Sequence, residues 1–167
     1  MDLLDFEAQE LYFDEPIPER VSELLEQAAE NYTMGSTELP LLQAYFLAPE
    51  NLTVLVALHR FFFYQHRYEE TLIIAERAFA IVGQRLHFPT HWRDVPPQLE
   101  TQNAPMTLVR FYLLALKGMA YLNLRLGHIE EGKQILQKII ALDPQDRLNT
   151  SALLAVANDQ DNLNEPI

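Results

Sequence analysis

The chain has 167 residues, long enough for one domain with a hydrophobic core, and its 49% apolar and 22% charged residues are ordinary for a globular protein. It contains no cysteine, which excludes disulfide frameworks, thiolate zinc sites, cysteine-ligated iron–sulfur clusters and cysteine nucleophiles. The formal net charge is −12, and residues 1–50 hold twelve carboxylates against a single basic residue, Arg20. So acidic a first third argues against nucleic acid or an anionic membrane as partner and fits a basic protein surface as partner, or simply solubility.

The opening "MDLLDFEAQELYFDEP" is acidic and has neither a basic leader nor an apolar core, so it is not read as a signal peptide. No run along the chain reaches the ~18 apolar residues of a membrane helix, and the expected location is cytoplasmic. Helical punctuation then dominates. "PERVSELLEQAAENY" begins at Pro18 and sets Val21, Leu24, Leu25 and Ala28 on one face, ending near Gly35. "STELPLLQAYFLAPEN" offers Ser36 and Thr37 as caps and stops at Pro49, and Asn51 caps the following "LTVLVALHRFFFY". After a turn at 65–67, "YEETLIIAERAFAIVGQRL" is helical again.

Residues 87–106 contain four prolines and no sustained period, and we read them as a loop or an irregular extension of a helix pair. Pro105 opens "MTLVRFYLLALKGMAYLNLRL", a long apolar helix expected to be buried on several sides. Gly127 turns the chain into "HIEEGKQILQKIIALD", ended by Pro144, and "NTSALLAVAN" adds a short last helix. The fold class is all-α, about six to seven helices in antiparallel pairs with an irregular Pro-rich insertion. The expected divisions are an acidic segment with one helix at 1–35, a helical domain at 36–157 and a frayed polar tail at 158–167.

The two long helix pairs share a period. At 52–85 and 113–146 the chain resembles the tetratricopeptide (TPR) repeat, a helix–turn–helix unit of about 34 residues. The marked positions read Leu55, Leu58, His59, Phe62, Thr71, Ala75 and Gly83 in the first unit. In the second they read Leu116, Met119, Ala120, Asn123, Gly132, Leu136 and Pro144. Small residues at the crossing let two helices approach closely, and both turns place two glutamates where a second helix starts, each worth roughly 0.3–1 kcal/mol against the helix dipole. His59 stands where the repeat has glycine, Thr71 where it has alanine and Asn123 where it has tyrosine.

With their flanks, "LAPENLTVLVALHRFFFYQHRYEETLIIAERA", "HWRDV", "RFYLLALKGMAYLNLRLGHIEEG" and "LDPQDRLNTSALL" resemble small TPR-like proteins encoded among nitrogen-fixation genes of diazotrophic bacteria. This second resemblance implies a non-catalytic accessory or chaperone-like factor whose partner is nitrogenase (the molybdenum–iron protein) or its assembly and stabilisation. The alternative is a generic TPR adaptor that recognises an acidic segment or a C-terminal carboxylate.

Motifs for catalysis are missing: there is no phosphate loop, nucleophile elbow or dinucleotide fingerprint, and no cofactor or metal is expected. His59 and His66 lack an evident third ligand, and His59 is read as a hydrogen-bonded residue at a helix contact. His87 and His91 are separated by Pro89, which disfavours the helix a zinc pair needs. Candidate partner-binding residues follow from the TPR resemblance, whose first helices line a groove: Arg60, Phe63 and Tyr64, then Lys117, Tyr121 and Arg125. Basic and aromatic side chains of this kind would suit a carboxylate; Phe63 is read as core instead, and Arg60 and Arg125 could equally pair with nearby glutamates. Trp92, followed by Arg93, is either a core anchor or a partner contact.

Overall fold

A computed structural model describes residues 15–164, with side chains described as far as residue 159. Residues 1–14 of the acidic segment and 165–167 of the tail lie outside the described residues. Among those described there are seven α-helices and no strand: α1 (Glu19–Glu30), α2 (Glu38–Leu47), α3 (Leu52–Tyr64), α4 (Tyr68–Leu86), α5 (Met106–Arg125), α6 (Ile129–Leu142) and α7 (Thr150–Asn164). The chain forms two compact units whose boundary falls between Ala78 and Phe79, inside α4.

In the first unit α1 packs on α2 and α2 on α3. α1 is amphipathic and buries Val21, Leu24 and Ala28. Thr37 stands at the N-cap of α2 but does not cap it. Its hydroxyl donates instead to the carbonyl of Ala28 at 3.2 Å, tying α2 to the end of α1. Asn51 does cap α3, accepting from the Val54 amide at 3.1 Å. The α3–α4 turn closes with the Arg67 amide donating to Phe62 O at 2.9 Å, and His66 takes a positive φ of 57° within it. Arg67 then reaches back, pairing with Glu38 at 2.8 Å and Glu70 at 3.2 Å while its guanidinium lies 4.7 Å over the Phe62 ring. Further along α4, Arg77 donates to Pro49 O at 3.1 Å.

In the second unit α5 packs on α6 and α6 on α7. α5 is buried along most of its length, from Val109 to Asn123, as its composition requires. The α5–α6 crossing depends on Gly132: a Cβ there would stand 2.7 Å from Leu124 Cγ and 3.2 Å from Ala120 O. The small residue therefore permits the approach of two helices, as the repeat pattern implies. The segment 87–106 is irregular but anchored. Gly83 lets the Pro89 carbonyl approach to 2.6 Å from where a Cβ would sit, and the Tyr112 hydroxyl donates to that carbonyl at 2.8 Å. Lys138 donates to the carbonyls of Arg93 and Val95 at 3.1 and 2.8 Å, holding the other side of the segment to α6.

The turn from α6 to α7 is equally determined. Asp143 accepts from the Leu148 amide at 2.9 Å, and Asp146, at φ 51°, accepts from the Thr150 amide at 2.8 Å. Asp146 also receives the Ser151 hydroxyl, and this bond is the main reason its carboxyl lies below its ordinary range. From this start α7 runs to Asn164, so the tail that the sequence reading frays from residue 158 continues as helix. With one apolar residue among six, "DQDNLN" offers no apolar period from which to read the helix.

Candidate functional site

On α3, Arg60 is half-buried and Tyr64 is exposed at the helix end. They sit beside a group of rings spanning the turn: Phe63 lies 6.1 Å from Tyr64 and 5.7 Å from Tyr68, and stacks on His59 at 6.3 Å. His66 meets the Tyr68 hydroxyl through Nδ1 at 2.9 Å. Phe61 and Phe62 are buried, so the aromatic run divides between the core and an open edge at Tyr64.

His59 differs from its sequence-based reading. It is buried, yet its Nε2 has no hydrogen-bond partner among the described residues. Burial, with the Arg60 charge beside it, lowers the imidazole to about 4, so the ring is neutral at neutral pH. A glycine position in the repeat pattern is thus filled by a desolvated aromatic ring. Nothing in the sequence marks that nitrogen as unpaired, because pairing depends on which carbonyls the neighbouring helices present.

On α5, Lys117, Tyr121 and Arg125 succeed one another at four-residue intervals, but their environments differ. Arg125 is exposed and Tyr121 half-buried. Lys117 is only 2% exposed, and its ammonium donates to the carbonyl of Leu148. The position proposed for a carboxylate clamp is occupied inside the unit, where the lysine fastens the α6–α7 turn to α5.

Trp92 is 7% exposed in a 3-10 turn, Trp92–Asp94, with the exposed Arg93 guanidinium 4.4 Å over its ring and His91 stacked at 6.0 Å. The indole is an anchor, and Arg93 and His91 form its outer cover. Among the described residues no group of three or more His, Cys, Asp or Glu side chains could hold a metal ion, and no helix is long and apolar enough to cross a membrane.

The surface that sequence reasoning overlooked lies on α2. Leu39, Leu42, Phe46 and Leu47 are exposed, Phe46 to 84%, and a groove of about 360 Å³ lies among Arg20, Leu24, Leu42, Gln43, Phe46 and Leu47. The signal was present: apart from Glu38 and Gln43, "ELPLLQAYFL" has no polar face, which is unusual for a helix with one side open.

No protein-family model matches the chain, and no solved structure matches it. A curated sequence does: the "Uncharacterized 19.8 kDa protein in nifW 5'region" of Azotobacter chroococcum mcd 1 is 49% identical over 158 residues, spanning 93% of this chain and 88% of that protein. Identity at that level over nearly the full length of both means a shared fold, and the chain belongs to the family of this nifW-region protein.

Proposed function

We propose that the chain is a TPR-like, non-catalytic accessory factor of nitrogen fixation that binds the molybdenum–iron protein of nitrogenase or one of its assembly intermediates. The observation that carries this reading is the near full-length identity to a protein encoded in the nifW 5' region. The architecture is compatible with it: consecutive helices packed in pairs, with aromatic and apolar side chains left on the surface at Tyr64, Leu39 and Phe46.

The test is affinity purification of the tagged full chain from cells grown on dinitrogen, with cells grown on ammonium as control. Recovery of nitrogenase subunits only under nitrogen-fixing growth is the expected result. Failure to recover any nitrogenase component after cross-linking, with diazotrophic growth unchanged in a deletion strain, would overturn the proposal. The generic adaptor reading is less favoured, because Lys117 is engaged with Leu148 and is not presented to a carboxylate.

A further inference from the structure

We propose that the open face of α2 and its groove against α1 form a docking surface for an amphipathic helix of a partner protein, one with an apolar stripe flanked by basic side chains. The inference deepens the protein-binding reading above but does not depend on the partner being nitrogenase.

The argument begins with the helix itself. α2 buries Pro40, Leu41 and Ala44 on its inner side. Its outer side carries Leu39, Leu42 and Phe46, at intervals of three and four residues, followed by Leu47. These are 66%, 41%, 84% and 52% exposed, a continuous stripe of large apolar side chains in water. Exposed single apolar residues are ordinary, but a helical stripe beside a groove marks a binding surface. The floor of the groove is Leu24 of α1, itself 1% exposed, and only Arg20 and Gln43 contribute polar groups to its lining. A ridge of this spacing next to a groove is the complement of another helix, which would seat its own apolar residues at i, i+3, i+4 and i+7.

Charge then selects the occupant. Residues 15–78 carry ten carboxylates and four basic side chains; Arg20 is paired with Glu23 at 3.3 Å, and Arg67 with Glu38 and Glu70. Glu19, Glu23, Glu26 and Glu30 are all exposed along α1. An excess of exposed carboxylates along α1 favours lysine- or arginine-flanked helices over acidic ones. Residues 1–14 of this chain carry five carboxylates and no base, so they are a poor occupant beside the glutamates of α1. A second copy is disfavoured for the same reason, since a two-fold contact would set the glutamates of α1 against themselves. Anionic membranes and nucleic acids meet the same repulsion. The combination that satisfies both the stripe and the glutamates of α1 is a basic-flanked amphipathic helix.

The test uses the full chain and two dye-labelled synthetic helices with the same leucine stripe, one flanked by lysines and one by glutamates, read by fluorescence anisotropy at several salt concentrations. The lysine-flanked helix is expected to bind, and the glutamate-flanked one at least tenfold more weakly. Phe46→Ala should weaken binding at least tenfold, about 1.4 kcal/mol, and leave the circular dichroism spectrum unchanged because the ring is 84% exposed. Glu23→Lys with Glu26→Lys should weaken binding and flatten its salt dependence. Equal binding of both helices, binding of neither, or undiminished binding by Phe46→Ala overturns the proposal. So does a dimer in sedimentation that Phe46→Ala dissolves, or capture by anionic vesicles. If peptides bind but no nitrogenase component co-purifies, the surface stands and the nitrogenase assignment fails. If nitrogenase co-purifies equally with the Phe46→Ala protein, the reverse holds.

Discussion

Replacing His59 by leucine tests the most unusual group in the first unit. The imidazole is buried and its Nε2 lacks a partner, with the pKa lowered to about 4 from an ordinary 6.5. The folded protein therefore keeps the ring neutral down to about pH 4, whereas the unfolded chain takes up a proton near 6.5. Between those values the unfolded state binds more protons, so stability rises with pH and is lost as pH falls from about 6.5 towards about 4. A shift of about 2.5 units corresponds to roughly 3 kcal/mol once complete, of which about 2 kcal/mol should be lost between neutral pH and about pH 5. His59→Leu removes this term and replaces a buried unpaired nitrogen with carbon. It should be neutral or stabilising by about 1 kcal/mol at neutral pH. The assay is urea unfolding of both proteins across this pH range, followed by circular dichroism. The carboxylates titrate in both, so the difference between them isolates His59. A variant that is destabilised by several kcal/mol at neutral pH, with the wild-type pH slope intact, would refute the reasoning. That outcome would mean the ring is hydrogen-bonded, as its sequence position first suggests.

Gly83→Ala should destabilise the second unit. The new Cβ would stand 2.6 Å from the Pro89 carbonyl oxygen. An overpacking cost of about 2–3 kcal/mol exceeds the ~1 kcal/mol that alanine gains in a helix. Thermal unfolding gives the loss, and Trp92 fluorescence reports whether segment 87–106 has shifted. Tyr112→Phe removes the hydroxyl donated to Pro89 O and should cost about 1 kcal/mol in chemical denaturation. Burial also holds this phenol above its ordinary pKa, so the ultraviolet titration curves of Tyr112→Phe and the unaltered protein should part only where the unit unfolds. Lys117→Met leaves the Leu148 carbonyl without its donor and should cost about 1–2 kcal/mol of stability, with partner affinity unchanged. Affinity lost at full stability would instead restore Lys117 as a partner contact.

The all-α class and most helix bounds were legible in the sequence, because apolar periodicity and Pro, Gly and Asn punctuation are local properties of the chain. Asn51 caps α3 as its position implies, and Gly132 sits at the α5–α6 crossing where the repeat pattern calls for a small residue. The glutamates also stand in the first turns of α4 and α6. What sequence could not decide was which side each chemical group would meet. Lys117 lies among groove candidates by register, yet its ammonium is claimed by Leu148, thirty-one residues away. Thr37 looks like a cap but donates to Ala28, the His59 Nε2 finds no hydrogen-bond partner among the described residues, and the polar end of α7 remains helical. The open face of α2 belongs to the same class. Periodicity identifies a helix without a polar face, whereas only the packing of α1 and α3 determines which side stays uncovered. A helix's own sequence dictates its hydrogen-bonded backbone and its faces. The partners of those faces come from distant chain, brought there by burial, and that assignment exists only in three dimensions.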